Sequence, residues 1–166
     1  MRPFFFAKPF ATLCLALLAS KAVFNGANIL VLEITMTVAI TLGRFLLGLY
    51  FFLPGISKIT GYADTLSYMS LHNIPLPEVL LPVTIGLQVA GGLMLMLGLR
   101  VGQVALVLAA LTLIINIGMH DFWNVYVGVS QAHETQNFVK NLAIFAGLLV
   151  LSGAEDLPQH RLFGSR

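Results

Sequence analysis

Seven polar residues lie within or beside the apolar stretches of this chain, and their side chains suit the binding of a carbonyl group or an anion. Cationic groups and amide donors stabilise an oxygen atom that gains negative charge. The candidates are Arg44, Lys58, Gln88, Asn116, His120, Lys140 and Asn141. No catalytic residue is assigned. No metal site is predicted, because Cys14 is the single cysteine and no histidine pair has zinc-binding spacing.

Arg44 stands out among the candidates because its surroundings are apolar. The stretch 34–58 is long enough for a membrane-spanning helix, which needs about 20 mostly apolar residues. Twelve residues between Ile34 and Ile56 are Leu, Ile, Val or Phe. Together they favour insertion by about 4 to 7 kcal/mol, against about 2.5 to 3.5 kcal/mol for a central arginine. Arg44 can therefore be held in the bilayer, where charged residues usually face the protein interior and serve a function.

The composition places the chain among membrane proteins. Hydrophobic residues make up 58% of its 166 residues and charged residues only 10%, whereas a soluble domain has about 25% charged residues. The lipid bilayer is thus the first predicted partner. The formal charge of +2 is small and no basic run is present, so no nucleic-acid partner is predicted.

The apolar periodicity predicts an all-α fold, namely a polytopic four-helix membrane bundle. After the first span, the others are 79–97, 101–119 and 138–151, with a tight turn at 98–100 and capping residues at 135–137. The glycine pair 91–92 predicts a close helix contact. Residues 61–76 predict a short interfacial helix between the first two spans. The chain therefore divides into an N-terminal segment 1–33, a transmembrane domain 34–153 and a tail 154–166.

Two interpretations of residues 1–33 stay open. A short apolar run followed by Ser20-Lys21-Ala22 imitates a cleaved signal peptide. The alternative, which we favour, is a retained amphipathic segment on the cytoplasmic surface. Lys and Arg counts then set the orientation, because six of these residues against two place both termini in the cytoplasm. The six are Arg2, Lys8, Lys21, Arg100, Arg161 and Arg166, and the two are Lys58 and Lys140.

Each span carries a polar stripe at helical spacing. If the stripes face one another, they line a polar pocket that opens to the non-cytoplasmic side, with Arg44 at its floor. Simpler roles also fit. Thr84, Thr112 and Asn116 can hold helices together, and the two lysine candidates can extend to the lipid headgroups.

The residues outside the spans are expected to have ordinary roles. His72 and His133 are predicted to be solvent-exposed loop residues. Trp123 and Tyr126 are predicted to anchor the chain at the membrane–water interface, where aromatic side chains are enriched.

Five sequence blocks within residues 36–153 resemble the DoxX family of small bacterial membrane proteins. The blocks are GRFLLGLYFFLPGISKI, IPLP, QVAGGLMLMLGLR, MHDFW and QNFVKNLAIFAGLL. The resemblance implies a four-helix bundle in the bacterial inner membrane. It also implies a link to membrane oxidoreductase complexes, including, for some members, thiosulfate oxidation with quinone as the acceptor. Arg44, Gln88, His120 and Lys140 fall in motif positions; many relatives have an acidic residue in place of Gln88, and a glutamine cannot shuttle protons as a carboxylate does.

Three functions fit these observations. The first is a subunit of a quinone-linked oxidoreductase or respiratory-type complex, with quinone or a small anionic ligand in the pocket and Phe51, Phe52 and Trp123 stacking on the ring. The second is a non-catalytic accessory subunit, and the third is a small anion transporter. A partner subunit or a homo-oligomer is expected. The residues alone do not decide whether the chain is an enzyme.

Overall fold

The fold is built from helices. A computed structural model describes the backbone of residues 7–156 and the side chains of residues 28–154. These residues contain no strand, and the helices are α1 (Ala7–Thr60), α2 (Tyr62–Leu71), α3 (Pro77–Leu97), α4 (Val101–Met119) and α5 (Gln131–Asp156). Four stretches are long and apolar enough to cross a membrane, namely Asn28–Thr60, Pro77–Leu97, Val101–Met119 and Gln131–Ala154. The predicted all-α fold with four membrane-spanning helices is confirmed.

The chain divides into two compact units, residues 1–41 and residues 42–166. In the first unit, every described side chain from residue 28 to residue 41 is exposed, although most are apolar. Such side chains suit contact with lipid. Helix α1 includes residues 7–33, which the sequence assigned to an N-terminal segment. The retention of that segment and its location on the membrane surface stay predictions.

In the second unit, α1 and α3 pack at close range through glycines. A Cβ atom on Gly92 of α3 would lie 2.6 Å from the backbone oxygen of Gly48 and 2.7 Å from the backbone nitrogen of Phe52, both on α1. Backbone atoms cannot move aside as a flexible side chain can, so the contact requires glycine on both helices. The helices are antiparallel, because Gly55, further along α1, lies beside Gln88, which is earlier in α3. The predicted close contact at the glycine pair is confirmed.

The apolar core lies in the half of the bundle nearest the α3–α4 turn. Leu95, Leu108 and Leu148 have no exposed surface, and Phe51 is 2% exposed. Gly98 reverses the chain at the predicted turn with a left-handed backbone (φ 74°), which glycine adopts without strain. The ring of Phe51 is packed within this core, and its predicted stacking on a ligand stays a prediction.

Helix α5 begins earlier than the sequence predicted. It starts at Gln131 rather than at Phe138, so the expected capping residues 135–137 lie inside it. The backbone N–H of His133 donates to the hydroxyl of Ser130 (3.4 Å), and Glu134 in the first turn complements the positive end of the helix dipole. These first two turns are polar, and apolar periodicity therefore could not reveal them.

The connection between α1 and α3 contains the predicted short helix. Helix α2 runs from Tyr62 to Leu71, contacts α3 and buries Met69. Pro77 begins α3, at a position where the missing N–H of proline has no helical partner to lose. The interfacial location of α2 stays a prediction.

Candidate functional site

Two buried carboxylates organise the end of the bundle where α2, the end of α4 and the start of α5 meet. Asp121 and Glu134 are only 7% and 5% exposed. A buried charge is costly unless it is paired and hydrogen-bonded, and both carboxylates accept hydrogen bonds from neighbouring side chains. We name this set the loop cluster; it consists of Tyr68, His72, His120, Asp121, Asn124, Tyr126 and Glu134.

Asp121 accepts three hydrogen bonds. His72 donates to Oδ1 from Nδ1 (2.8 Å), while Asn124 Nδ2 (2.6 Å) and the Tyr126 hydroxyl (2.7 Å) donate to Oδ2. Burial would raise the pKa of Asp121, but the hydrogen bonds from Asn124, Tyr126 and His72 outweigh burial and hold that pKa below its usual value. The carboxylate is therefore ionised at neutral pH. Since an ionised carboxylate only accepts hydrogen bonds, the His72 proton lies on Nδ1.

Glu134 accepts two hydrogen bonds from different helices. His120 Nδ1, at the C-terminal end of α4, donates to Oε2 (2.6 Å), and the hydroxyl of Tyr68 on α2 donates to Oε1 (2.8 Å). Burial, the hydrogen bond to Glu134 and the charges of Glu134 and Asp121 together raise the pKa of Tyr68 well above its usual value. The phenol therefore stays protonated and remains a donor. One carboxylate thus ties three helices together.

His72 links the two carboxylates. Its ring lies between the rings of Tyr68 and Tyr126, with centroids 4.5 and 4.3 Å away. Tyr68 in turn bonds Glu134, and His72 itself bonds Asp121. His72 is 5% exposed, so the prediction that it is a solvent-exposed loop residue is wrong. His72 is buried by these two aromatic rings and by Asp121. Its position between two helices in the sequence does not predict these contacts.

A largely open surface groove of about 380 Å³, which we call the cavity, lies beside the loop cluster. Its wall contains both members of the His120–Glu134 pair and the Tyr68 phenol, so it is rich in hydrogen-bonding groups. The lining residues are Tyr68, His120, Gly128, Val129, Ser130, His133, Glu134 and Asn137. Of the seven candidates predicted from sequence, His120 belongs to this wall.

Three other candidates lie inside the bundle. Asn116 is 1% exposed and donates from Nδ2 to the backbone oxygen of Phe138 (3.1 Å). Asn141 is buried and accepts a hydrogen bond from the hydroxyl of Tyr50 (3.1 Å). Gln88 is also buried, on α3. The Asn116 and Asn141 amides hold helices together, as the simpler interpretation predicted for Asn116.

The three cationic candidates lie elsewhere. A Cβ atom on Gly98 would lie 2.7 Å from Nη1 of Arg44, so the guanidinium is level with the α3–α4 turn and not with the cavity. This cavity is therefore not the predicted pocket with Arg44 at its floor. Helix α1 starts well before the predicted span, so Arg44 does not lie at the middle of that helix. Lys140 is exposed and donates to Asn137 (2.8 Å), and Lys58 is half-buried on α1. A ligand-binding role for these three residues stays a prediction.

Six members of the loop cluster were not among the candidates. An available signal was the position of the acids: Asp121 directly follows an apolar span, and Glu134 precedes the next one. A carboxylate at such a boundary needs water or a buried partner. Tyr68 and His72 are four residues apart, the spacing at which side chains share a helix face, but nothing local shows what that face meets.

A sequence model of the DoxX family matches residues 30–121, which is more than half of the chain. This chain belongs to the DoxX family. The DoxX match ends at Asp121, so Glu134 lies beyond it. With four stretches able to span a membrane, this DoxX-family chain is an integral, multi-pass membrane protein.

Two relatives of this DoxX-family protein come from Escherichia coli strain K12. Inner membrane protein YqjF is 35% identical over 115 residues, which are 69% of this chain and 82% of the relative. Inner membrane protein YphA is 24% identical over 115 residues, 69% of this chain and 81% of the relative. No solved structure matches the chain. These relatives place the DoxX-family protein in the bacterial inner membrane.

Proposed function

We propose that this protein is a membrane subunit of a quinone-linked oxidoreductase, with the quinone headgroup bound in the cavity beside the loop cluster. The observation that carries the proposal is the trio of His120, Glu134 and Tyr68 in the cavity wall. The DoxX resemblance supports the class of ligand.

The donors in the cavity wall fit a quinone. Glu134 orients His120 by accepting the Nδ1 proton, and in the doubly protonated ring Nε2 also carries a proton that it can donate to a ligand carbonyl. The same carboxylate orients the phenol of Tyr68. A bound quinone would supply the redox chemistry, with electrons from a partner subunit, since the sequence contains no flavin or metal motif. The chain's own residues would position the headgroup and hold a proton at His120.

Few of the hydrogen-bond donors predicted from sequence lie in the cavity wall. His120 remains, but Arg44 lies at the α3–α4 turn and Lys140 is exposed outside the wall. The anion-transport alternative required a pocket with a basic floor, and the Arg44 position removes its support. The accessory-subunit alternative keeps one observation in its favour, because the amides of Asn116 and Asn141 are used in helix packing.

Quinone binding can be measured through Trp123, the only tryptophan in the chain. The Trp123 ring packs against the ring of Phe138 (5.8 Å between centroids). Asn137, which precedes Phe138 in the chain, lines the cavity. We expect a short-tailed quinone to quench this fluorescence saturably in purified protein. Glu134→Gln removes a charge-assisted orientation worth about 1.5–3 kcal/mol, so the apparent Kd should rise about 10- to 100-fold.

The matched control is Thr135→Val, which changes the neighbouring exposed residue of the same helix. Its hydroxyl bonds only the backbone of Gln131 among the described residues, so quinone binding should be unchanged. Absence of saturable quenching in the folded wild-type protein, together with no quinone in its lipid extract, would refute the proposal. A well-defined complex with a partner subunit but no quinone binding would favour the accessory role.

We also propose that both termini face the cytoplasm, on the count of six lysines and arginines against two. A fluorescent protein that folds only in the cytoplasm, fused after Arg166, should be fluorescent. A periplasmic alkaline phosphatase fused at the same position should be inactive. The reverse pair of results would contradict this orientation.

A further inference from the structure

A row of polar side chains enters the bundle beneath the cavity. It consists of Gln88 on α3 and Thr112 and Asn116 on α4, which are 6%, 4% and 1% exposed. We name these three residues the polar seam. The two α4 residues are one helical turn apart, and His120 in the cavity wall is one further turn away.

Two oxygens of the seam are unpaired within the described part of the chain. Oδ1 of Asn116 and Oε1 of Gln88 are buried and accept no hydrogen bond from any described residue. The orientation of the Asn116 amide is set, because its Nδ2 donates to the backbone oxygen of Phe138. More than about 90% of buried polar groups in folded proteins have a partner, so each exception needs an explanation, and bound water is one.

The upper end of the seam lies near the cavity. Asn116 bonds the backbone of Phe138, and the adjacent Asn137 lines the cavity. At the lower end, Gly91 of α3 contacts Leu108 of α4. Because these helices are antiparallel, Gln88 lies about level with Thr112, one turn beyond that contact.

The seam is closed below by apolar side chains. Leu95, Leu108 and Leu148, which have no exposed surface, fill the bundle between Gln88 and the α3–α4 turn. A polar donor in the seam therefore cannot continue to the other end of the bundle.

We propose that ordered water fills the polar seam from the cavity down to Gln88, as a blind hydrated channel. Water donates to Oε1 of Gln88 and Oδ1 of Asn116, and the Thr112 hydroxyl, which donates to the Leu108 backbone (2.7 Å), accepts from water. Buried water of this kind needs two to four polar partners, which the seam supplies. Use of this water as a proton source for a bound quinone rests on the proposed function, whereas the hydration itself does not.

Solid-state NMR of the protein in lipid bilayers tests the hydration directly. Magnetisation transferred from water should reach the side-chain amides of Gln88 and Asn116 about as fast as that of Asn137 in the cavity wall. The backbone amides of Ala105 and Leu108, both fully buried, provide the dry reference. Transfer to Gln88 and Asn116 as slow as to this reference would overturn the inference.

Gln88→Met, which introduces a side chain of similar size, gives a second test. The sign of the change in Tm distinguishes a hydrated seam from a dry one. In a hydrated seam, Gln88→Met removes a partner of bound water, so Tm should fall and transfer to Asn116 should slow. In a dry seam, the same change removes an unpaired acceptor, so Tm should rise. The matched control is Gln103→Met at an exposed position of α4, which should leave both readouts unchanged. Quenching of Trp123 by quinone is measured in parallel, so failure of the seam and failure of the quinone site give different results.

Discussion

Asp121→Asn is the substitution that tests most directly whether the loop cluster is held together by buried charge. The carboxylate accepts hydrogen bonds from His72, Asn124 and Tyr126 at 2.6–2.8 Å. An asparagine has one acceptor oxygen, and its NH₂ group would face donors on the other side. If the amide oxygen turns toward the buried His72, the NH₂ group faces Asn124 and Tyr126.

The expected loss of stability in Asp121→Asn follows from the hydrogen bonds that asparagine keeps and those that it loses. A hydrogen bond to a charged group is worth about 1.5–3 kcal/mol, and a buried donor left unpaired costs about 1–3 kcal/mol. Asparagine keeps a neutral hydrogen bond to His72, and the other two donors can turn partly to water, since Asn124 is exposed and Tyr126 is half-buried. We therefore expect a loss of about 2–4 kcal/mol, from a total that is usually about 5–15 kcal/mol. For a chain of this size the corresponding fall in Tm is about 5–15 °C.

The effect must also depend on pH in a defined direction. Because the folded protein holds the pKa of Asp121 below its unfolded value of about 3.9, the carboxylate stabilises the fold above that value. This contribution is lost as pH falls through the lower, folded pKa. The gap in Tm between wild type and Asp121→Asn should be full at pH 7 and should narrow progressively below about pH 4.

Thermal unfolding in a mild detergent, followed by Trp123 fluorescence, measures this gap. The matched control is Asp64→Asn, an exposed aspartate in the first turn of α2, which should change Tm by no more than a degree or two, about 0.5 kcal/mol. An Asp121→Asn protein with the Tm of this control at pH 7, or a gap that stays constant down to pH 3, would refute the reasoning.

Two further substitutions test other contacts by the same assay. Tyr68→Phe removes the donor to Glu134 and should cost about 1.5–3 kcal/mol. Because the folded protein raises the pKa of Tyr68, this contribution should be full below the unfolded pKa of about 10 and should be lost progressively as pH rises from there toward the folded value. Gly98→Ala places a side chain at φ 74° beside Arg44 and should cost about 1–2 kcal/mol. Gly147→Ala, with no atom within 4 Å of the added carbon, should leave Tm unchanged or slightly higher, and equal effects at the two glycines would contradict the backbone argument.

The spans could be predicted because each depends on its own residues. The predicted third span, 101–119, coincides with α4, since nineteen consecutive residues are almost all apolar and a glycine turn precedes them. The start of α5 could not be found in the same way. Its first two turns are stabilised by a cap at Ser130 and by contacts of Glu134, and neither produces an apolar pattern.

The site was less predictable because its contacts join distant parts of the chain. His72 and Asp121 are 49 residues apart, and Tyr68 and Glu134 are 66 apart. His120 was found because it continues the four-residue spacing of Thr112 and Asn116. His72 was assigned to solvent because local sequence shows a histidine in a loop, whereas its burial depends on rings and carboxylates supplied by other elements.

The distribution of polar groups along the bundle supports the proposed place of ligand binding. At the α3–α4 end, buried leucines fill the interior, and Arg44 lies against the turn with its Nε buried and without a hydrogen-bond partner among the described residues. At the other end, the His120–Glu134 pair borders the cavity and the buried His72–Asp121 pair belongs to the same cluster, while the amides of Gln88 and Asn116 each have an unpaired oxygen within the described part of the bundle. Buried charges and unpaired acceptors lower stability unless something binds to them. On this basis we propose that the loop cluster borders the ligand site of this DoxX-family protein, while a role for Arg44 stays a prediction.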